Sequence, residues 1–575
     1  MRPAILTFEN VTVEYETGAR AVRNVNLSLC QDECLALVGE SGCGKTTLVR
    51  AALGVLPPDT QVFGSIRVGT SEVLSASKHT LRQLRGPVVG FVAQDPYKAC
   101  NPLDQVEAHV AEAWRAHALT PPRGVIYRML SALGIQNVAA ALRRYPHQWS
   151  GGMLQRATIV ASAAHHPPLI IADEPTSALD ADLADSTLVD LRKTGASVLL
   201  VSHDITVVAR HADRVAVLYA GQIVELASAK EVLHHPRHPY TIALLNAIPR
   251  FGAGLPAALP GAPPDLTELQ AGCAFAPRCC YAQDACRTQE PVLRDGVACL
   301  MLSTTERKSS FNQKENLRSQ ASAAPGTIRV GQNGSGAAPA TTRDKVCVVQ
   351  ARQVSKIYDL GAKSVRALVS ASLEVKPGEI VGICGPSGCG KSTLLRLLAT
   401  IERPSGGEVY WGGELVADGP KRIAHRSARN GYIMPIFQDP MGSLDRNWPI
   451  WRTITEPLMA SHRVDRPSSA QRRVIAQDKL HEVGLSNVDV GAKPDELSVG
   501  QCQRVAIARA LTARPALIIA DEPTSALDVS VSASILHLLA ATAEAGTAIV
   551  IVSHDQAVLG VLCHRILKMV DGVLE

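Results

Sequence analysis

The segment that decides the fold is GESGCGKT at residues 39–46, which recurs as GPSGCGKS at residues 385–392. A short apolar run precedes each copy, CLALV at Cys34–Val38 and EIVGIC at 379–384, and helix-forming residues follow. Strand, glycine-rich loop and helix in this order are typical of a phosphate-binding loop, because glycines let backbone N–H groups converge on phosphate oxygens at a helix N-terminus. Two copies in the same context predict two phosphate sites.

The repetition extends well beyond these loops. LIIADEPTSALD at 169–180 recurs letter for letter at 517–528, and VSHD at 201–204 recurs at 552–555. The separation between the copies is nearly constant along the chain, which indicates a tandem duplication of one module.

Composition limits the class of protein. The chain has 575 residues, of which 46% are hydrophobic and 19% charged, and its net charge is +5. These values suit folded domains, exclude wholesale disorder and do not imply nucleic acid as a partner. No signal peptide or run of about 18 apolar residues is present, so the sequence predicts a soluble, cytosolic chain.

Changes in composition along the chain, together with the repeat, predict four segments. Modules at 1–250 and 346–575 flank a cysteine-rich extension at 251–302 and a polar Gly/Ser/Ala-rich stretch at 303–345. We interpret the polar stretch as a flexible tether that lets the two modules face each other.

The acids and histidines of each module fit phosphate chemistry. Lys45 is placed to reach the β- and γ-phosphates, and the hydroxyl of Thr46 suits Mg²⁺. LIIAD ends in Asp173, which can hold Mg²⁺, and Glu174 can accept a proton from an attacking water. His203 follows a second apolar run and can hydrogen-bond the γ-phosphate. The second module supplies the same groups as Lys391, Ser392, Asp521, Glu522 and His554.

Four cysteines stand close together in the extension, at Cys273, Cys279, Cys286 and Cys299, with Cys280 as a neighbour. In a reducing compartment this cluster favours metal or cluster ligation over disulfides. The spacing alone does not choose between tetrahedral zinc and a four-iron cluster.

The order of motifs in both modules resembles ATP-binding cassette (ABC) ATPases. Tyr15 and Tyr358 are candidate adenine-stacking aromatics, and Gln94 and Gln438 lie in Q-D-P segments. The family signature LSGGQ appears as WSGGM at 149–153 and as LSVGQ at 497–501. The resemblance implies an α/β P-loop NTPase fold with two tandem nucleotide-binding domains. Each domain would have a RecA-like core, an antiparallel β-subdomain and a helical signature subdomain.

In this family two modules close head to tail on two ATP molecules, and each signature helix faces the other module's phosphate loop. The resemblance implies catalytic roles for Glu174, Glu522, His203, His554, Gln94 and Gln438. The implied Mg²⁺ ligands are Thr46, Gln94, Ser392 and Gln438. The implied nucleotide contacts are Tyr15, Gly39, Ser41, Gly42, Cys43, Gly44, Lys45, Thr46, Thr47, Ser150, Gly151, Gly152, Asp173, Tyr358, Gly385, Ser387, Gly388, Cys389, Gly390, Lys391, Ser392, Thr393, Ser498, Gly500, Gln501 and Asp521.

The two composite sites are expected to differ. Head-to-tail closure would set Ser498 and Gly500 against Lys45, and Ser150, Gly151 and Gly152 against Lys391. Val499 replaces a signature glycine in the first site only, and its β-branched side chain adds bulk where phosphate and backbone approach closely. We therefore expect slower turnover at the first site.

The extension sharpens the resemblance. HPRHPYTIALLNAIP at 235–249, followed by GCAFAPRCCYAQDAC at 272–286, resembles the C-terminal extension of oligopeptide/dipeptide importer ATPases. Some members of that group carry a four-iron four-sulfur cluster there, which favours the cluster over zinc for the four cysteines. The second module resembles the partner ATPase of the same importers, so the chain looks like two fused subunits.

The resemblance implies the energising subunit of a membrane importer of peptides, with ATP and Mg²⁺ as cofactors. The implied partners are two transmembrane permease subunits and an extracytoplasmic substrate-binding protein, with no nucleic acid. The protein would sit at the cytoplasmic face of the membrane, and one chain would supply both ATPase halves without a homodimer.

Other readings stay open at this point. Importers of nickel, metallophores or glutathione-like molecules share the same ATPase group. A soluble twin-cassette translation factor typically has a long, charged helical linker, whereas residues 303–345 are rich in Gly, Ser and Ala. A ribosome-recycling relative would carry its cysteines before the first cassette, and a DNA-repair cassette ATPase would need large insertions.

Overall fold

A computed structural model describes residues 2–176, 181–261, 263–302, 347–360, 363–386, 388–420, 432–459, 466–525 and 527–575. The tether predicted at 303–345 lies outside the described residues. Residues up to 302 are called the first half below, and those from 347 the second half.

The strands of the first half are β1 Ala4–Glu14, β2 Arg20–Cys30, β3 Cys34–Val38, β4 Gln61–Val68, β5 Ser71–Glu72, β6 Val89–Val92, β7 Leu169–Asp173, β8 Ser197–Ser202, β9 Arg214–Tyr219 and β10 Gln222–Ser228. Its helices are α1 Lys45–Leu53, α2 Lys78–Leu84, α3 Pro96–Ala99, α4 Val106–Arg115, α5 Val125–Ala132, α6 Val138–Leu142, α7 Gly151–Ser162, α8 Ala181–Lys193, α9 Ile205–His211, α10 Ala229–His234, α11 Pro239–Asn246 and α12 Asp284–Thr288.

A six-stranded sheet in the order β10-β9-β3-β8-β7-β6 forms the centre of the first half. The strands from β9 to β6 pair in parallel, and β10 closes the edge antiparallel to β9. Residues of β3, β7 and β8 are buried along their whole length, as expected for parallel strands covered on both faces. Parallel strands end at one edge, so the loops after β3, β7 and β8 meet there.

The first strands of the chain form a second, antiparallel sheet in the order β2-β1-β4-β5, which we call the β-subdomain. Alternating apolar residues of β1 and β2, among them Phe8, Val11 and Val25, are buried with Leu48 and Val49 of α1 in one core. This packing places the β-subdomain beside the helix that follows the first phosphate loop.

The second half repeats this plan. Its strands are β11 Val349–Leu360, β12 Lys363–Val375, β13 Ile380–Cys384, β14 Gly406–Trp411, β15 Glu414–Asp418, β16 Ile433–Ile436, β17 Leu517–Asp521, β18 Ala548–Val552, β19 Arg565–Val570 and β20 Val573–Leu574. Its helices are α13 Lys391–Leu398, α14 Pro440–Ser443, α15 Ile450–Ile454, α16 Ser469–Glu482, α17 Val499–Thr512, α18 Val529–Glu544 and α19 Gln556–Leu562.

Ten strands of the second half form one sheet, in the order β15-β14-β11-β12-β20-β19-β13-β18-β17-β16. The stretch from β20 to β16 has the order of the six-stranded sheet in the first half, and β20 joins it to the antiparallel strands through a short pairing with β12. The predicted α/β architecture with two tandem copies of one module is confirmed. In the described part of the chain, no helix combines the length and apolar character needed to cross a bilayer.

One glycine in each phosphate loop is required by the fold itself. Gly44 has φ of 105° and Gly390 has φ of 107°. A Cβ at Gly44 would lie 2.0 Å from the carbonyl oxygen of Ala21, and one at Gly390 would lie 2.4 Å from that of Ala367. The loop therefore packs against the preceding β-subdomain so closely that only glycine fits.

A helical layer of the first half carries the WSGGM signature. Trp149 is 3% exposed and packs in a core formed mainly by α4, α5, α6 and α7. Its indole Nε1 donates to the carbonyl oxygen of Ala141 at 3.0 Å, and Ser150 then caps α7. The signature is thus tied to the core of this layer by its first residue.

We expect Trp149→Ala to destabilise this helical layer by about 3–5 kcal/mol, because it leaves a large cavity in the core and removes the indole hydrogen bond to Ala141. Hydrogen exchange of the α7 amides should speed up strongly, while exchange in the second half stays unchanged. Trp149→Leu, which installs the residue present at Leu497, should retain more protection, and Tyr127→Ala on the exposed surface serves as the control. Unchanged exchange in α7 would contradict the inference that Trp149 anchors the signature in the core of this helical layer.

Candidate active site

The first phosphate loop holds a buried ammonium group. Lys45 is 6% exposed, and its Nζ donates to the carbonyl oxygens of Gly39 at 2.7 Å and Glu40 at 2.9 Å. Gly44 precedes α1 and offers no side chain to cap it, which leaves the first backbone N–H groups of the helix to a ligand. A cation beside a helix N-terminus is the arrangement that phosphate groups require.

The segments that follow the parallel strands bring five further side chains to this cation. Thr46 Oγ1 donates to Asp173 Oδ1 at 3.4 Å, and Gln94 Nε2 donates to Glu174 Oε2 at 2.6 Å. His203 Nδ1 lies 3.4 Å from the same Glu174 oxygen. The structure therefore assembles the predicted phosphate, metal and proton-transfer groups of the first half in one place.

The pKa values of the two acids of the first site, Asp173 and Glu174, shift in opposite directions. Burial would raise the pKa of Glu174, but hydrogen bonds from His203 and Gln94 and the charge of Lys45 hold it below its ordinary value. Burial raises the pKa of Asp173, and the hydrogen bond from Thr46 opposes this only in part. Burial disfavours charged His203, yet Glu174 raises its pKa. Glu174 is thus kept ionised at neutral pH, as a proton acceptor must be.

The two glutamates share a strained backbone that sequence reasoning missed. Glu174 has φ of 47° and Glu522 has φ of 49°, in the left-handed region that non-glycine residues rarely adopt. Strain of this kind persists where the surrounding structure enforces it, often at functional sites. The duplication gives the same strain at both positions.

The second half builds the same arrangement. Lys391 Nζ donates to the carbonyl oxygens of Gly385 at 2.7 Å and Pro386 at 2.8 Å. Gln438 Nε2 donates to Glu522 Oε2 at 3.0 Å, and His554 Nδ1 lies 3.2 Å from Glu522 Oε1. Burial raises the pKa of Asp521, which accepts a hydrogen bond from Ser392. The predicted Ser387 lies outside the described residues.

The two tyrosines predicted to stack on adenine, Tyr15 and Tyr358, make different side-chain contacts in the two halves. The hydroxyl of Tyr15 lies 3.0 Å from Thr47 Oγ1 on α1. The hydroxyl of Tyr358 donates to Glu402 Oε2 at 2.6 Å. Tyr358 also makes a side-chain hydrogen bond with Thr393 on α13, so both tyrosines contact the helix that follows their phosphate loop.

Both signature serines cap their helices, and the second signature is the more regular. Ser150 Oγ accepts the N–H of Met153 at 3.3 Å, and Ser498 Oγ accepts that of Gln501 at 3.3 Å. Gln501 also accepts the Ser498 N–H, which completes a capping box that Met153 cannot form. Ser150 and Ser498 are exposed, and Val499 is 46% exposed.

At the first phosphate loop, contact with the second half comes from the start of α18. The N–H of Ser41 donates to Asp528 Oδ2 at 3.2 Å, and the hydroxyl of Ser530 donates to Glu40 Oε1. Asp528 ends the repeated S-A-L-D segment, but its place beside Glu40 was not predicted. One sequence difference could have drawn attention to Glu40, since the other phosphate loop has Pro386 at this position.

The cysteine-rich extension lies against the first phosphate loop. Phe275 packs edge-on against Tyr219 and Tyr240, with ring centroids 5.2 and 5.5 Å apart. Arg278 Nη1 and Nη2 donate to Glu40 Oε2 at 2.7 Å and Oε1 at 3.0 Å. The extension is therefore part of the wall behind the first loop, which its sequence did not indicate.

The four predicted cysteine ligands are neighbours without a preformed metal site. The N–H of Cys273 donates to the carbonyl oxygen of Cys286 at 2.8 Å. Burial raises the pKa of the Cys273 and Cys279 thiols, and nearby Cys299 adds to both shifts. All fourteen cysteines are thiols rather than disulfides. Within the described ranges, no group of three or more His, Cys, Asp or Glu side chains is arranged to hold a metal ion. The predicted iron–sulfur cluster and its zinc alternative find no support in this placement.

Burial raises the pKa of Cys279 to about 12, so this thiol is protonated at neutral pH in the described arrangement. A metal or cluster would have to displace that proton. The donor chemistry of four cysteines still suits zinc or iron–sulfur ligation.

Comparison with protein families gives two matches. The ABC transporter family matches residues 22–177 and 368–525. The oligopeptide/dipeptide transporter C-terminal region matches residues 224–286, which cover most of β10, all of α10 and α11, and most of the cysteine-rich extension.

Similar proteins match along nearly the whole chain. The oligopeptide transport ATP-binding protein OppD of Mycobacterium tuberculosis is 36% identical over 594 residues, covering 99% of this chain and 94% of OppD. The glutathione import ATP-binding protein GsiA of Pectobacterium atrosepticum is 33% identical over 586 residues, covering 99% of this chain and 85% of GsiA.

Among solved structures, the archaeal ribosome recycling factor aABCE1, in its complex with the ribosomal stalk protein aP1, has the same fold. Its TM-score is 0.55 at 19% identity, over 98% of this chain and 89% of that chain. The family match over more than half of the chain and the full-length relatives show that the chain belongs to the ABC transporter family, as an ATPase with two ATP-binding cassettes in one polypeptide.

Proposed function

We propose that this chain powers an importer of peptides, with two transmembrane permease subunits and an extracytoplasmic binding protein as partners. The observation that carries the proposal is the match of residues 224–286 to the oligopeptide/dipeptide transporter C-terminal region, between two complete sets of ATPase residues. Full-length similarity to OppD supports the same cargo class, and similarity to GsiA supports glutathione, itself a short peptide, as the alternative. The chain would work at the cytoplasmic face of the membrane, without nucleic acid.

The proposed division of labour follows the four segments of the sequence. Residues 1–250 and 346–575 are the two nucleotide-binding domains, 251–302 the extension and 303–345 the tether. One chain then supplies both cassettes, so no homodimer is needed.

The proposed chemistry is the same in each cassette. Thr46, Gln94 and Asp173 offer the oxygen donors that Mg²⁺ prefers, and the ion would neutralise charge on the transferred phosphoryl group. Glu174 accepts the proton of the attacking water, while His203 and Gln94 hold its carboxylate in place. Lys45 neutralises the phosphates, and Tyr15 stacks on the base. The second cassette uses Lys391, Ser392, Gln438, Asp521, Glu522, His554 and Tyr358.

Transport measurements test the cargo. Deleting the gene should abolish uptake of labelled di- and oligopeptides, and the wild-type gene should restore it, whereas the Glu174→Gln/Glu522→Gln double variant should not. Excess unlabelled glutathione, or nickel with a metallophore, tests the alternative cargoes by competition. Unchanged peptide uptake together with co-sedimentation of the protein with ribosomes would instead favour the translation-factor reading.

We expect the two ATP sites to hydrolyse unequally, because Val499 would face the γ-phosphate held by Lys45. Overpacking of this kind costs about 1–3 kcal/mol, which corresponds to roughly 5- to 150-fold in rate. In the assembled transporter, Glu522→Gln should therefore remove most of the steady-state ATPase activity and Glu174→Gln less. Val499→Gly should raise the rate.

Equal losses in both glutamate variants, with no gain from Val499→Gly, would refute this asymmetry. A gain from Val499→Gly despite equal losses would instead mean that strict coupling makes each site essential. Val474→Gly, at an exposed valine of the same half, is a control for loss of a β-branched residue.

We also propose that Cys273, Cys279, Cys286 and Cys299 bind a four-iron four-sulfur cluster that contributes folding free energy to the extension. Support comes from the donor chemistry and from the short segment that holds all four thiols, which has little apolar sequence for a core of its own. Binding would have to draw the thiols together from the described arrangement.

Anaerobically purified protein should then contain about four iron and four sulfide per chain and absorb broadly in the visible range. Cys279→Ser should lose both signals, whereas Cys280→Ser, at the exposed neighbour, should keep them. Stoichiometric zinc without iron would keep the site but exclude the cluster. Protein without bound metal in either form would exclude the site.

A further inference from the structure

Glu40 is a buried acid inside the first phosphate loop. Its side chain is 2% exposed, and its own carbonyl oxygen accepts a hydrogen bond from Lys45 Nζ at 2.9 Å. The backbone that carries this acid therefore also holds the phosphate-binding lysine. Any force on the Glu40 side chain acts on the loop itself.

Arg278 neutralises this acid from the cysteine-rich extension. Its side chain is 6% exposed and donates to both carboxylate oxygens, the two-pronged geometry that gives the strongest ion pairs. Arg278 Nε also donates to the carbonyl oxygen of Pro260 at 2.9 Å, and the Glu40 N–H donates to the hydroxyl of Tyr240 at 2.9 Å. Both ends of the pair are thus fixed by neighbouring groups.

The same carboxylate reaches the second half of the chain. The Ser530 hydroxyl lies within hydrogen-bonding distance of Glu40 Oε1 and 2.8 Å from Asp528 Oδ1. Asp528 Oδ2 accepts the N–H of Ser41, the next residue of the loop. Two buried carboxylates, Glu40 and Asp528, therefore meet around one hydroxyl next to the place where phosphates bind, and Arg278 supplies a balancing charge.

The second phosphate loop cannot form this network. Pro386 occupies the position of Glu40, so it has neither a carboxylate nor a backbone N–H. The position of Ser530 in the duplicated module is taken by Asp182, an acid in place of a hydroxyl. The network is a property of the first ATP site.

We propose that Arg278 and Glu40 are positioning residues for ATP binding at the first site, which make that site depend on the cysteine-rich extension and on the start of α18. Arg278 holds the Glu40 carboxylate on Ser530 and cancels its charge beside the incoming phosphates. Without Arg278, a buried unpaired carboxylate would repel the nucleotide and shift the loop away from Lys45. The proposal concerns ATP binding, and it does not depend on the cargo or on a bound cluster.

The test measures nucleotide affinity at each site separately in the full-length chain. A fluorescent ATP analogue is titrated against Arg278→Met placed in a Lys391→Ala background, which reports the first site, and in a Lys45→Ala background, which reports the second. We expect the first-site affinity to fall about tenfold or more, because breaking one side of a buried pair leaves its partner uncompensated. Second-site affinity should stay within about twofold, which also shows that the variant is folded.

A second variant that also removes the Glu40 charge distinguishes a defect caused by the unpaired carboxylate from one caused by lost packing. The neutral pair Glu40→Gln/Arg278→Met should recover first-site affinity to within roughly threefold of the parent. Arg278→Lys should recover it only in part, since an ammonium lacks the planar fork that bonds both Glu40 oxygens and Pro260 at once. In the otherwise wild-type chain, Arg278→Met should raise the KM for ATP more than it lowers kcat. Arg287→Met removes an exposed arginine of the same extension and should have no effect.

Equal loss of affinity at both sites, or a first-site affinity within twofold of the parent, would overturn the proposal. A double variant as weak as Arg278→Met alone would also overturn it, because the defect would then come from lost packing rather than from the unpaired charge.

Discussion

The rest of the structure depends on keeping a lysine ammonium group buried and ready for phosphate. Lys45 and Lys391 each bond two carbonyl oxygens of their own loop, which satisfies the charge without consuming it in a salt bridge. That arrangement requires a tight loop, and the loop requires Gly44 or Gly390, whose α-carbon lies against the β-subdomain. The acids that would complete each ATP site, Asp173 and Asp521, lie at the ends of parallel strands in the sheet that also carries the phosphate loop of the same half.

The two halves repeat the chemistry but differ at the contacts around it. Gln94, Glu174 and His203 have the same mutual bonds as Gln438, Glu522 and His554, and both glutamates have the same left-handed backbone. The differences include Glu40 against Pro386, Val499 against Gly151, and Met153 against Gln501. These positions lie in the phosphate loops and the signatures, so a duplicated chain can keep two sites while giving them different neighbours.

The extension after the first cassette is integrated with the ATPase rather than appended to it. Phe275 and Arg278 pack into the first cassette beside Tyr219, Tyr240 and Glu40. The carbonyl oxygen of Pro256 lies 2.7 Å from His537 Nε2 on α18. Leu255 also packs against the core of the second half. The segment recognised by its cysteines is therefore also a brace between the first phosphate loop and the other cassette.

The sequence by itself determined the duplication, the fold class, the phosphate loops and the order of the acid, glutamine and histidine motifs in each half. These follow from local patterns, because a strand that ends in a glycine-rich loop leaves the chain few alternatives. Only the tertiary structure decided the partners of Glu40, the left-handed backbone of Glu174 and the absence of a preassembled metal site among the described residues. Arg278 is 238 positions from Glu40, and Ser530 is 490 positions from it, so no sequence window contains both members of either contact. Buried charges find their partners through the packing of whole layers, and that information is not local.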